Sequence, residues 1–442
     1  MSYLRNILYL LAFLVLSPWL VYKAVTTRKY RRGFFRKWLG DVRHPLLLSP
    51  EKRTGPCVWF HGVSLGEIHV LKQLVPFCRK QHPEWHVVVS TTTDAGFDEA
   101  NKLFPDLPVV FWPFDFTWSV KRALNTIRPD LLVLTESEIW PNVLRIASSR
   151  GVKLALVNGR MSPRSAKRYR KIRWLVQGLF KSFDACGVQT PEYAEHWRSL
   201  GARNVVVTGN IKYDGANLDR GNDKTQAMRH WLVLADDSLV LVAGSTQAPE
   251  EQICLEIYRK AKAIHPNLRF IVVPRQKERF KEVAALLEAS GLPFDRRSRR
   301  SEPMTDDRIL LVDTFGELSA IWGLADVAFV GGSLDGKRGG QNMIEPAAYG
   351  CAVVFGPHTW NFKETVARLL AANGAIRVEN AEQLEAVALR LFGDMSERKR
   401  LGDAGQAFVR TQQGATRKTL AMLASLLESA SGGMPSLSGA TP

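Results

Sequence analysis

The sequence predicts an α/β protein of two domains, each a doubly wound parallel sheet. Short β-branched and apolar runs alternate with helical patterns along most of the chain, as expected when strands are buried on both faces. At 442 residues the chain exceeds the roughly 250 to 300 residues at which a single core stops growing, so two cores are expected. Between two series of such runs lies "DGANLDRGND", residues 214–223, rich in Gly, Asn and Asp and without apolar periodicity. It reads as an interdomain connection.

The elements follow in order. Ile7 to Tyr22 reads "ILYLLAFLVLSPWLVY", apolar apart from Ser17 and Pro18, and the cationic, aromatic "RKYRRGFFRKW", residues 28–38, follows it. An apolar run flanked by cations and aromatic rings suits a bilayer surface. Residues 1–27 are therefore expected to form an N-terminal membrane anchor, a signal-anchor with the rest of the chain on the cytoplasmic side. The first Rossmann-like domain, residues 28–214, takes its strands from "CVWFHGV", "WHVVVST", "LPVVFWP", "DLLVLTES", "VKLALVNG", "ACGVQT" and "NVVVTG". A linker, 215–223, leads to the second domain, 224–430, with "LVLVAGS", "RFIVVPR", "RILLVDT", "DVAFVGG" and "CAVVFGP". The small, polar residues 431–442 are expected to be disordered.

The formal charge is +17 and the pI about 9.8, so the partner is anionic: nucleic acid, phospholipid or a phosphorylated substrate. Five widely spaced cysteines without a C-x-x-C pair argue against a disulfide framework or structural zinc and fit a reducing cytosol. The chain carries no G-x-x-x-x-G-K-[ST] loop and no G-x-G-x-x-G after its first strand, which speaks against an ATPase or an ordinary nicotinamide enzyme. Without H-E-x-x-H or a close His and Asp cluster, no metal is expected.

Ligands of doubly wound sheets bind at the carboxyl ends of the strands, so the residues there decide the chemistry. In "FHGVSLGEIHV", residues 60–70, Ser64 and Glu67 have the S-x-x-E spacing of a capping box, and Glu67 is either a helix cap or a base. In the second series, Gly244 to Thr246 lie between strand and helix, where free N–H groups favour an anion. Arg275 directly follows a strand, where its guanidinium can fork onto a phosphate. Phe315, Gly316 and Glu317 open another helix. A Gly-rich loop runs into Asn342 and Glu345, where a carboxylate can accept ribose hydroxyls. Each has an ordinary structural alternative, an ion pair or a dipole-complementing charge. Together, at successive strand ends, they indicate a nucleotide or nucleotide-sugar pocket.

The motifs "HGVSLGE", "TESEIWPN", "NGRMSPRSAKRY", "GNIKYD", "AGST", "VPRQKERF", "DTFGELS", "FVGGSL", "GGQNMIEPAAYG" and "FGPHTWNF" resemble, in order, those of the 3-deoxy-D-manno-octulosonic acid (Kdo) transferases of lipopolysaccharide biosynthesis. The resemblance implies a GT-B fold, two Rossmann-like domains facing a central cleft, and inverting transfer of Kdo from CMP-Kdo onto the lipid A precursor, lipid IVA. It gives Glu67 the position of the catalytic base and puts Glu136 and Lys212 where the transition state is stabilised. Pro274 with Arg275, Phe315 to Glu317, and Asn342, Met343, Ile344 and Glu345 match CMP-binding segments. Where the family usually has His in "VPRH" and "GGHNPLE", this chain has Gln276 and Gln341, which hydrogen-bond but carry no proton near neutral pH.

The resemblance also implies inner-membrane phospholipid as a partner, CMP-Kdo as a donor substrate rather than a cofactor, and no nucleic acid. The competing readings are another envelope GT-B glycosyltransferase with a different nucleotide sugar, and a membrane-tethered nucleic-acid-binding protein. The second lacks any RNA-binding or helix-turn-helix signature.

Overall fold

A computed structural model describes residues 2–26, 32–304 and 307–430. The chain divides into two compact units, Met1–Gly215 together with the residues from Gln413 onward, and Ala216–Gln412. Each is an α/β unit on one seven-stranded sheet in which every strand pair is parallel.

In the first unit the strands are β1 (Cys57–His61), β2 (His86–Thr91), β3 (Val109–Phe111), β4 (Leu131–Thr135), β5 (Lys153–Gly159), β6 (Ala185–Val188) and β7 (Val205–Val207). Their order is β3-β2-β1-β4-β5-β6-β7. The unbroken apolar runs have a physical cause here. Along β4, Leu132 and Leu134 enter one core while Leu131 and Val133 enter another on the opposite face. The order reverses between β1 and β4, so the carboxyl ends of those two strands form the switch point where such sheets bind ligands.

The second unit contains β8 (Leu239–Thr246), β9 (Leu268–Pro274), β10 (Phe294–Arg296), β11 (Ile309–Leu311), β12 (Val327–Val330), β13 (Ala352–Phe355) and β14 (Ala375–Arg377), ordered β10-β11-β9-β8-β12-β13-β14. All twelve runs read from the sequence are strands. The two edge strands β10 and β14 escaped that reading, because three half-exposed or mixed residues leave no apolar run to see.

Two domain expectations change. Residues 216–222, expected as linker, are tied into the second unit. Arg220 donates to the carbonyls of Tyr349 at 2.7 Å and Ala325 at 2.8 Å, and Asn222 caps the helix Asp223–Trp231. The helix Ala415–Ala430, expected in the second domain, packs in the first unit, burying Leu420 and Leu423 beside Val157, Ala185 and Ile211. Asp214 fixes its start by accepting from Gly414 N at 2.6 Å and Thr416 N at 2.5 Å.

The N-terminal expectation is also corrected. Ser2–Thr26 is a helix, but among the described residues no helix is long and apolar enough to cross a membrane. A span needs about 20 consecutive apolar residues, and here the start of the helix is polar and held to the first unit. Asn6 Nδ2 donates to Thr117 Oγ1 at 2.7 Å, and the Tyr9 hydroxyl donates to Asp115 Oδ2 at 3.0 Å. Phe13 packs on Trp38 with ring centroids 5.5 Å apart. Leu8, Leu11, Leu14 and Val15 are exposed. Of the cationic segment, residues 28–31 lie outside the described residues, as does the tail 431–442 expected to be disordered.

Candidate active site

The first unit's switch point gathers carboxylates and cations. After β1 the chain turns through Gly62 to Ser64 into the helix Leu65–Gln81, and Glu67 stands in its first turn, 8% exposed. Its Oε2 accepts from Val63 N at 2.5 Å and from Thr135 Oγ1 at 3.3 Å, and its Oε1 accepts from Ser64 Oγ at 3.3 Å. This is not the expected capping box. Ser64 is the N-cap residue, but its side chain caps no backbone N–H and donates to Glu67 instead. Glu67 reaches one residue beyond the cap, which pins the loop that joins strand to helix. Burial pushes its carboxyl above the ordinary range, and the nearby Glu136 adds to the rise. A carboxylate with a raised affinity for protons is suited to take one from a hydroxyl.

Glu136 directly follows β4 with φ of 59°, a left-handed conformation, rare for a residue with a side chain. The turn is held by Glu136 N donating to Val157 O at 2.9 Å and Arg160 N donating to Glu136 O at 3.2 Å. Its buried carboxylate lies between two cations, Lys212 Nζ at 3.2 Å and Arg160 Nη2 at 2.6 Å. Lys212 sits on the short 3-10 turn Ile211–Tyr213, oriented by Asn210, which caps Lys212 N, and by Asn158, which accepts from Ile211 N at 3.0 Å. The structure thus joins two sequence-predicted residues, Glu136 and Lys212, that lie 76 positions apart.

Two members of this cluster went unread in the sequence. Arg160 lies in "NGRMSP", and its position just past β5 was the available signal. Glu138 is part-buried, and its carboxyl is pushed up to about 7 by burial first and then by the charge of Glu67. The second Glu of "TESEIWPN" marked it. His61 is no rival base. Wholly buried, stacked on Trp112 with centroids 3.7 Å apart, its imidazole is pushed down to about 3 by desolvation.

The second unit carries the other predicted residues at its own strand ends. Pro274 closes β9, and Arg275, exposed, donates its N–H to Thr246 O at 3.1 Å. Phe315 is 67% exposed, with its ring 5.6 Å from that of Phe280. Gly316 has φ of 90°, which a side chain would strain. Glu317 pairs with Arg297 at 2.9 Å and accepts the Thr314 hydroxyl, so its carboxylate is already oriented. Arg297 in turn lies 4.4 Å over the Trp231 ring.

Asn342 donates to Glu345 Oε1 at 2.9 Å and accepts from Ile344 N at 3.0 Å. Met343 and Ile344 are 0% and 2% exposed, so their side chains are core groups and only their backbone is available to a ligand. Gln276 and Gln341 are part-buried. Glu250 joins the ends of β8 and β12, its carboxylate accepting from Gln247 N, Gly332 N, Ser333 N and Leu334 N at 2.7 to 3.0 Å.

Residues 30–215 match the family model described as 3-Deoxy-D-manno-octulosonic-acid transferase (kdotransferase). A 3-deoxy-D-manno-octulosonic acid transferase of Haemophilus influenzae is 33% identical over 375 residues, covering 84% of this chain and 87% of that protein. One of Chlamydophila psittaci is 30% identical over 422 residues, 95% of both. Among solved structures, UDP-GlcNAc 2-epimerase from Neisseria meningitidis bound to UDP-GlcNAc superposes with a TM-score of 0.55 at 13% identity, over 84% of this chain and 100% of that one. At that identity the likeness is one of fold, a GT-B-like pair of parallel-sheet α/β units.

Proposed function

The chain belongs to the 3-deoxy-D-manno-octulosonic acid transferase family and is a glycosyltransferase, and from that premise we propose that it transfers Kdo, with inversion, from CMP-Kdo to lipid IVA. The observation that carries the mechanism is Glu67, a buried carboxylate of raised proton affinity at the switch point of the first unit. In this reading Glu67 takes the proton from a sugar hydroxyl of the acceptor as that oxygen attacks the anomeric carbon. Inversion needs a single displacement and no enzyme nucleophile.

Lys212 and Arg160, held by Glu136, offer fixed positive charge to the charge that develops in the transition state. Arg275 and the backbone of Phe315 to Glu317 and of Asn342 to Glu345 take the CMP of the donor, with the Glu345 carboxylate on the ribose. Arg275 and these backbone donors meet the leaving phosphate, so the reading asks for no metal or cofactor.

The acceptor is a phosphorylated, acylated disaccharide, and we place the enzyme at the cytoplasmic face of the inner membrane, attached at the interface without spanning. The exposed apolar side of Ser2–Thr26 suits shallow insertion. On the helices Pro163–Lys171 and Arg173–Lys181, Trp174 is 82% and Leu175 60% exposed. Arg168, Arg170, Lys171 and Arg173 flank them, and none has an ion-pair partner among the described residues.

Mass spectrometry of the product from CMP-Kdo and tetraacylated lipid A precursor tests the reading. Acceptor mass should rise by one or more Kdo units. No product with CMP-Kdo, alongside turnover of another nucleotide sugar, would give the protein to a different glycosyltransferase activity.

A further inference from the structure

The second unit carries a further group of aromatic and cationic residues beyond the ends of β12 and β13. The Gly-rich segment after β12 and the "GPHTWNF" segment after β13 are laced together. Gly356 N donates to Ser333 Oγ at 2.9 Å, His358 N to Ser333 O at 3.0 Å, Asn361 N to Gly339 O at 3.0 Å and Asn361 Nδ2 to Arg338 O at 2.8 Å. Two aromatic rings lie flat on glycines. A Cβ at Gly339 would fall 2.3 Å from the Trp360 indole, and one at Gly336 would fall 3.3 Å from the His358 imidazole. Both glycines have positive φ, 81° and 69°, which a side chain would strain, and at Gly339 space excludes a Cβ as well.

The platform this builds is open and cationic. Trp360 is 52% exposed although its ring is fixed from below. Lys337 and Arg338 are exposed beside it, and among the described residues neither has an ion-pair partner. Asp335, the one acid within the loop, accepts the backbone N–H of Lys337 at 3.0 Å. Two unneutralised cations next to a rigid, half-exposed indole suit a ligand with one apolar sugar face and one anionic group. The same loop leads without interruption into Asn342 and Glu345, the nucleotide segment of the reading above.

We propose that Lys337, Arg338, His358 and Trp360 form the subsite for the acidic sugar of the donor. The two cations and the imidazole N–H take the carboxylate of the ulosonic acid, and the indole covers a face of its ring. The assignment rests on the second unit being the donor unit. It supplies a reason for selecting an acidic sugar over the neutral sugars of other nucleotide donors, because a neutral sugar leaves both cations unpaired.

Calorimetric titration with CMP and with a non-transferable CMP-ulosonate analogue separates a carboxylate from a phosphate as the group held, since CMP carries the phosphate alone. The variants are Lys337→Gln with Arg338→Gln, Trp360→Leu, and the wild type, each checked for an unchanged melting temperature. Affinity for the analogue should fall at least tenfold in the double variant and several-fold in Trp360→Leu, with CMP affinity within twofold of wild type. Equal loss of CMP and analogue would assign the cations to phosphate and overturn the proposal, as would no loss of either. A wild-type protein that binds neither CMP nor the analogue, yet binds a uridine diphosphate sugar, would overturn the functional reading itself and this subsite with it.

Discussion

Replacing Glu67 by Gln separates a catalytic carboxylate from a structural one. The geometry lets the amide fit. With its oxygen in the place of Oε2 it still accepts from Val63 N and Thr135 Oγ1, now 2.5 and 3.3 Å away. Its NH2 then faces Ser64 Oγ, a hydroxyl that can turn from donor to acceptor. No buried donor is orphaned, so the loss is one charge-assisted hydrogen bond exchanged for a neutral one, about 1 kcal/mol. Relief of the desolvation that raises the Glu67 carboxyl works against even that. Loss of a general base costs about 10² to 10⁴ in turnover, or about 3 to 5.5 kcal/mol of barrier. The assay is single-turnover Kdo transfer at saturating donor and acceptor, beside denaturant unfolding and CMP binding. Turnover is expected to collapse with folding and nucleotide affinity intact. Turnover within fivefold of wild type in the folded variant would refute the reasoning and leave Glu67 as the pin of its loop.

Lys212→Met should lower turnover about tenfold to a hundredfold and barely change the unfolding midpoint, because Arg160 still neutralises Glu136 at 2.6 Å; unchanged single-turnover kinetics would remove Lys212 from the chemistry. The Glu138 carboxyl is pushed up to about 7 by burial first and then by the charge of Glu67, so it gains its charge as the pH rises through that range, and the profile of kcat/KM against pH should show an inflection near 7. Glu138→Gln should abolish that inflection. Glu345→Gln should raise the KM for CMP-Kdo about tenfold, equivalent to about 1.4 kcal/mol, with kcat little changed. Tyr9→Phe removes the hydroxyl that meets Asp115 at 3.0 Å and should destabilise the first unit by about 1 kcal/mol in urea unfolding, with earlier proteolysis of Ser2–Thr26.

Much of the fold is written locally. A strand buried on both faces must be apolar at every position, so Leu131 to Leu134 and Val87 to Val89 declare themselves without their neighbours. Glu67 could be noticed because S-x-x-E after a strand is a local pattern, and the Gly-rich run before Asn342 because glycine lets backbone approach a ligand closely. The role of a carboxylate is not local. Glu67 and Glu136 become neighbours only when β4 pairs with β1, a choice made by the whole sheet. Lys212 reaches Glu136 across 76 residues, and Glu138 titrates near neutrality only because folding buries it beside another charge.

The edge strands and the ends of the chain show the same division. β10 and β14 are strands because a partner strand offers them hydrogen bonds, not because their residues prefer one. The helix Ala415–Ala430 has the periodicity of an amphipathic helix in either unit, and it joins the first because Asp214 and the apolar groove beside Val157 and Ile211 receive it there. The apolar run from Ile7 to Tyr22 marks a helix with a broad apolar surface, on which Leu8, Leu11, Leu14 and Val15 stay exposed. Only the contacts of Asn6 and Tyr9 with Thr117 and Asp115 reveal that its polar start docks on protein. Sequence alone determined which segments must leave water and where the backbone must turn; the tertiary structure decided which charges meet, since electrostatic energy depends on distance and burial and neither is a property of a residue in isolation.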